Sequence, residues 1–266
     1  FVFIILNKKK LFSLHMKLFL NFLLKKFNLK LSSFSTYQCK KVSNFLNTIK
    51  NKKKLDNTNK CLPYFCSQFG QDLFVLNELN FKKNGFFVEF GATNGINSSN
   101  TYLLEDKFNW RGILAEPAKI FHNELIKNRK CHIETNLIWK NSKSKLLFHE
   151  DFAGGISTIK KFINHDTQIR RKKKEYILET ISLNDLLEKY NAPKIIDYLS
   201  IDTEGSEFDI LYNFDFNKHK FRVITCEHNF NKNKNKIYKL LTKNGYIKKH
   251  SNLVSFVDDW YVYSFD

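Results

Sequence analysis

Residues 85–106 read "GFFVEFGATNGINSSNTYLLED": a run fit for burial, then a loop almost without side chains, then apolar positions at helical spacing through Tyr102, Leu103, Leu104 and Phe108. A short apolar run closed by glycine and followed by a helix is the signature of a parallel strand covered on both faces. The unit repeats at once. "RGILAEP" (111–117) is a second such run, stopped by Pro117, and "KIFHNELIKNRK" (119–130) is its helix. "CHIETNLIW" (131–139) reads as a further strand, and "KLLFHEDFAGGISTI" (145–159) as a hairpin turning at Gly154 and Gly155. "TISLNDLLEKY" (180–190), with Ser182 or Asn184 as cap, is a helix leading to strand "IIDYLSID" (195–202). After it come helix "SEFDILYNF" (206–214), strand "FRVITCEH" (221–228) and helix "KNKIYKLLTKNGY" (234–246). "IKKHSNLVSFV" and "WYVYSF" close the chain as an antiparallel edge joined by "DDW". Strands alternating with helices predict an α/β fold, a doubly wound sheet that is mostly parallel with an antiparallel C-terminal strand.

In such a sheet ligands bind beyond the carboxyl ends of the strands, where the connections diverge. "GATNG" lies there. Gly91 and Gly95 would let the backbone approach a ligand, and the next helix, capped around residues 97–99, would aim its positive end at it. Glu116 ends the second strand, where a carboxylate can accept from two ribose hydroxyls, so the expected ligand is a nucleoside. The loop lacks the middle glycine of the dinucleotide fingerprint. It carries instead Glu89, an acid unhelpful beside phosphates and suited to the ammonium of S-adenosylmethionine. The plainer reading of Glu89, a buried carboxylate capping nearby amides, stands beside this one.

Five segments together carry a family resemblance: "SQFGQDLFV" (67–75), "GFFVEFGATNGINSSNTYLLE" (85–105), "WRGILAEP" (110–117), "LSIDTEGSEFDIL" (199–211) and "VITCEHN" (223–229). In this order and spacing the chain resembles the FkbM family of S-adenosylmethionine-dependent methyltransferases over about residues 64–263. The resemblance implies a class I methyltransferase (Rossmann-like) fold and methyl transfer to oxygen on a sugar, glycan or secondary metabolite. It places Glu89, Gly91, Ala92 and Gly95 at the methionine end of the cofactor and Glu116 at its ribose. Phe90 and Thr203 depart mildly from the family pattern.

An alcohol acceptor must lose its proton, which calls for a base or a metal. Asp202 ends the fourth strand; Glu227, His228 and Asn229 follow the fifth. His228, Asp202 and Glu227 are the catalytic candidates, with His228 as the base and Asp202 also beside the cofactor; alternatively Asp202, Glu227 and Asn229 offer oxygen ligands to Mg or Ca. The plain alternative has Asp202 bonding loop amides and Glu207 complementing a helix N-terminus. Acceptor choice is expected to lie in residues 148–179, where the run "RRKKKE" (170–175) would attract an anionic acceptor or simply be solvated. An NAD-dependent oxidoreductase and a non-catalytic, membrane-attached nucleoside-binding module are the rival readings.

The formal charge of +18 over 266 residues is concentrated in front. Residues 1–60 carry +13 and residues 61–266 only +5. Abundant Lys, Asn, Phe and Ile with only 9 Gly and 3 Pro is what an AT-rich coding sequence yields, and no basic-aromatic stripe points to nucleic acid. The five cysteines form no Cys-x-x-Cys pair and read as reduced thiols of a cytoplasmic protein. The chain opens on Phe1 and its one methionine is Met16, so residues 1–15 read as an upstream extension. "MKLFLNFLLKKFNLK" (16–30) is basic and amphipathic, too short to span a bilayer, and suited to lie on an inner membrane surface through residues 16–31, or to pack on its own domain. "NKKKLDNTNK" (51–60) reads as a linker, giving an extension over 1–60 and a methyltransferase domain over 61–266.

Overall fold

The computed structural model describes residues 36–264. The chain divides into two units, Phe1–Cys39 and Lys40–Asp266, and apart from the first residues of the opening helix everything below belongs to the second. The amphipathic stretch 16–30 lies outside the described residues. In chain order the elements are α1 (Thr36–Leu46), α2 (Lys52–Cys61), α3 (Gln71–Glu78), β1 (Phe86–Phe90), α4 (Tyr102–Phe108), β2 (Arg111–Ala115), α5 (His122–Asn128) and β3 (His132–Glu134). Then follow β4 (Leu137–Trp139), β5 (Lys145–Asp151), β6 (Thr158–Ile159), β7 (Lys172–Ser182), α6 (Leu183–Lys189), β8 (Ile195–Ile201) and α7 (Glu207–Tyr212). The last are β9 (Lys220–Glu227), α8 (Lys234–Lys243), β10 (Tyr246–Lys248), α9 (Asn252–Ser255) and β11 (Asp258–Tyr263). No helix among the described residues is long and apolar enough to cross a membrane.

Seven strands form the main sheet in the order β10-β11-β9-β8-β1-β2-β3, parallel except that β11 runs antiparallel to both β9 and β10. Counted within this sheet the order is 3-2-1-4-5-7-6 with the seventh strand reversed, the class I methyltransferase arrangement. Both faces are covered, which is why the strands are continuous apolar runs. Phe86, Val88 and Phe90 point into one core cluster with Ile196, Leu199 and Ile224. Phe87 points into the other with Leu114, Tyr198 and Trp260. Glu89 shares the face of Phe87 by the two-residue period of a strand, so a carboxylate is built into an apolar layer. A second sheet, β4-β7-β5-β6, packs its own cluster of Leu137, Trp139, Phe148 and Ile159.

Several boundaries differ from the sequence-based expectation. Residues 51–60 are no linker: Asn51 caps α2 by accepting from Lys54 N, and Thr58 and Cys61 are buried. Lys54 donates to Asn77 O at 2.9 Å, so its aliphatic stem lies along the domain. In α1, Val42 and Phe45 are buried, Phe45 edge-on to Phe74 and Trp260 at 6.2 and 5.9 Å. The folded unit therefore begins near residue 40, not at 61. The stretch 131–139 is two strands in different sheets, because the Glu134 carboxylate turns back to accept from Asn136 N at 2.9 Å. Asp258, Asp259 and Trp260 are the first half of β11 rather than a turn, and β10 alone forms that edge of the sheet.

Candidate functional site

The order of the main sheet reverses between β1 and β8, and there the two strand ends touch. Gly91 has φ +76°, and a Cβ on it would stand 2.2 Å from the Asp202 carbonyl oxygen, so no larger residue fits between the two loops. Around this contact opens a cavity of about 590 Å³, within the range of small-ligand sites. It is walled by Glu89 in β1 with Gly91 and Thr93 after it, Glu116 after β2, Asp202 and Glu204 after β8, and Glu227 at the end of β9 with Asn229 after it. The second sheet contributes Phe148, residues 153–157 and Gln168.

Glu116 is buried, and its two oxygens accept from Thr93 N at 2.7 Å and Ala118 N at 2.8 Å. It thus fixes the glycine loop while each oxygen keeps a lone pair for a ligand hydroxyl. Burial pushes its carboxyl up to about 7, against the pull of those two amides. Glu89 accepts from Asn100 N at 2.7 Å, from Ser99 Oγ at 3.0 Å and from the Thr101 hydroxyl. Glu89 thus lines the cavity while it caps one amide and two hydroxyls, as its plainer reading has it. The following helix starts at Tyr102, later than expected, because Ser98 turns left-handed at φ +59° and Ser99 Oγ accepts from Tyr102 N.

Ala92 and Gly95 do not line the cavity. Ala92 is fully buried in the core, and a Cβ on Gly95, at φ +83°, would strike Arg129 Cγ at 2.6 Å. Gly95 makes room for a buried arginine, not for a ligand. His228 is also outside the lining. Its Nδ1 accepts from Phe230 N at 3.0 Å, and its Nε2 faces Asp259 Oδ1 at 3.4 Å with the ring buried. Neither nitrogen is available to an acceptor in the cavity, so the geometry removes His228 from the role of base.

Asp202 and Glu227 instead line the cavity side by side, with oxygens within 4.8 Å of one another, so that the two carboxyls do not readily ionise together. Burial, opposed by Glu227 and reinforced by Asp258, brings Asp202 to about 7; burial and then Asp202 hold Glu227 well above the ordinary range. Glu204 completes a triad whose oxygens lie within 4.8 Å of one another. Burial and the Asp202 charge push the Glu204 carboxyl up, opposed by Arg170, whose Nη2 stands 2.6 Å from Glu204 Oε2. Three carboxylates this close could coordinate a divalent ion, with Glu204 replacing the expected Asn229 as the third member; Arg170 already neutralises Glu204. Glu207 behaves as the plain alternative had it, accepting from Thr203 N, Thr203 Oγ1 and Gly205 N.

Sequence reasoning assigned no role to the segment 67–75, though it was part of the family resemblance. Ser67 bridges Ser98, and Asp72 holds Ser67 and Cys66 N, which brings Gln68, Phe69 and Gln71 over the cavity. Gln71 then donates to Asp258 Oδ2 at 2.7 Å. Asn100 was missed as well; its Nδ2 donates to Ser200 Oγ at 2.8 Å, while its buried Oδ1 in the cavity wall has no partner.

The family model for the methyltransferase FkbM domain matches residues 89–248, more than half of the chain. Among solved structures, the crystal structure of a precorrin-6y C5,15-methyltransferase from Geobacter metallireducens GS-15 is similar at 10% identity, covering 72% of this chain and 85% of that chain with a TM-score of 0.40. That likeness is too loose to bear on the site. No curated protein matches the sequence.

Proposed function

The chain belongs to the FkbM methyltransferase family, and on that premise we propose that its cavity joins S-adenosylmethionine to an alcohol and transfers the methyl group to oxygen. The residues fit such a cofactor. Glu116 has free lone pairs for vicinal hydroxyls, while Glu89 and the unpartnered Asn100 Oδ1 are acceptors suited to an ammonium group. When bound, S-adenosylmethionine supplies a methyl on a sulfonium, which departs as a neutral thioether.

The observation that carries the reading is the carboxyl pair at the carboxyl edge of the sheet. Glu227 is buried while Asp202 is half-buried and open to the cavity, so of two carboxyls this close Glu227 is the one to hold a proton and Asp202 is left as the acceptor. A base with a value near 7 is matched to proton transfer at neutral pH. The hydroxyl O–H bond breaks with its proton passing to Asp202, while the O–C bond forms and the S–C bond of the donor breaks. Positioning the oxygen in line with the departing sulfur supplies a further part of the rate. The acceptor is a small molecule or glycan hydroxyl. Label from the methyl group of the cofactor, followed into a panel of sugars and polyols, tests this. Asp202→Asn should lower turnover by ~100-fold or more with affinity for S-adenosylhomocysteine retained; turnover preserved in that variant would refute the base.

A further inference from the structure

We propose that the rim of the cavity made by residues 119–120, 152–157 and 167–174 is a docking face for an anionic lipid bilayer, which sets the mouth of the cavity against the headgroups. The docking is independent of the reaction carried out inside.

Ala153 and Gly155 line the cavity and are themselves exposed, which marks an opening beside them. Their neighbour Phe152 is 71% exposed, and Ile169, next to the cavity-lining Gln168, is 86% exposed. Two hydrogen bonds hold these segments side by side: Phe152 N donates to Arg171 O at 2.8 Å, and Arg170 Nε donates to Ile156 O at 2.9 Å. Ile120 comes to the same place and is also exposed, since a Cβ on Gly154 would stand 3.1 Å from its Cγ2. Three large apolar side chains gathered at one opening mark a surface that takes an apolar partner.

The run 170–175 splits in the folded protein. Arg170 points inward, its side chain 1% exposed, and donates to Ile163 O, Asp166 and Glu204. Its neighbours Ile169 and Arg171 are exposed, as are Lys172, Lys173 and Lys174, and Lys119 beside Ile120. None of the three segments contains a carboxylate. The flanking Asp151 and Asp166 are turned inward, onto Ala153 N and Arg170. Glu175, one residue beyond, brings a negative charge back, and it is taken by Lys160 and Lys172. The five exposed cations equal the whole net charge of +5 over residues 61–266, so the rest of that stretch is balanced.

Exposed apolar side chains set among cations match a surface where phosphates lie directly above acyl chains. Phe152, Ile169 and Ile120 enter that boundary while the cations meet the headgroups. A small anion would engage the cations and leave the apolar side chains in water. A charge run that is merely solvated gives no reason for those side chains to stand beside it. One modest contact of this kind binds a membrane reversibly, and stable attachment takes two. The sequence holds a second of the same chemistry, the basic amphipathic stretch 16–30. With this face docked, a ligand held at the bilayer surface meets the cavity opening directly.

The test uses the full chain and vesicles of phosphatidylcholine containing about 30% phosphatidylserine. The wild type should pellet with these vesicles and not with phosphatidylcholine alone. Partitioning should fall by about tenfold or more when Arg171→Gln, Lys172→Gln and Lys174→Gln are combined, and again when Phe152→Ser and Ile169→Ser are combined, with the melting temperature kept. Phe152→Trp, which preserves an apolar ring, reports the contact directly. The native Trp110, Trp139 and Trp260 are buried, so lipids brominated on their acyl chains should quench the fluorescence of Phe152→Trp well beyond that of the wild type. Quenching no greater than in the wild type overturns the docking face, whatever the stability of the other variants. So does a wild type that fails to pellet with the anionic vesicles. Pelleting untouched by both combined variants also overturns it and leaves residues 16–31 as the contact. Binding of duplex DNA, but not of vesicles, through the same cations would assign the face to nucleic acid and overturn the bilayer.

Discussion

Glu116→Gln separates the two tasks this carboxylate performs. In the folded protein its two oxygens take the amides of Thr93 and Ala118, at 2.7 and 2.8 Å, in a side chain 4% exposed. Glutamine keeps one oxygen and turns an NH2 toward the other amide, leaving a buried donor unpaired at a cost of ~1–3 kcal/mol. In a domain of this size that corresponds to a fall in melting temperature of roughly 2–12 °C. Without the charge-assisted hydrogen bonds to the ribose, S-adenosylhomocysteine should bind about tenfold to a hundredfold more weakly. The pH dependence supplies an independent readout. The Glu116 carboxyl titrates near 7 when folded and near 4.5 when unfolded, so the folded state holds the extra proton between those values. Its contribution to stability is fully present below the unfolded value and declines as pH rises through about 7. The wild-type protein without ligand should lose melting temperature between pH 5 and 8, and the variant should lose less. Thermal melts across pH with calorimetry on the folded variant decide the matter. A variant with unchanged melting temperature, unchanged pH profile and unchanged affinity would refute both roles.

Asp202→Asn and Glu227→Gln should each lower turnover by ~100-fold to 10,000-fold, and the wild-type rate should rise as pH passes about 7, whereas His228→Ala should mainly lower stability. Inactivation of the wild type by chelator, with recovery on adding Mg, would assign the Asp202, Glu204 and Glu227 triad to a metal instead. Gly95→Ala should destabilise by more than ~1 kcal/mol, because of both its φ of +83° and the contact with Arg129, yet leave S-adenosylhomocysteine affinity within about threefold in the folded fraction; a selective drop in affinity would return Gly95 to the binding site. Starting the chain at Cys61 removes Phe45 from beside the Phe74 and Trp260 pair and should cost ~3–5 kcal/mol or more in a denaturant melt. Starting it at residue 36 should preserve the fold and test, by pelleting with anionic vesicles, whether residues 16–31 are a membrane contact.

Strand and helix order, and the placing of the ligand loops, are legible in the sequence because these are local matters. Apolar runs five residues long, such as 86–90, closed by Gly91 or Pro117, can only be strands buried on both faces. Strands of that kind put Glu89, Glu116, Asp202 and Glu227 at one edge of the sheet whatever else happens, and all four line the cavity. What remained illegible depends on contacts between residues far apart in the chain. His228 and Glu227 are neighbours in sequence, yet one faces Asp259 behind the wall and the other faces Asp202 in the cavity, since successive residues at a strand end point opposite ways. Gly91 and Gly95 look alike in "GATNG", and only the packing of Arg129 across 34 residues makes the second a structural glycine. The lysine-rich α2 reads as a linker because its few buried groups, Thr58 and Cys61, give no apolar face until α3 is set against it. The charge of the cavity, finally, runs against the charge of the chain. Composition counts every lysine, but only the tertiary structure keeps those of the described residues away from the place where six carboxylates converge.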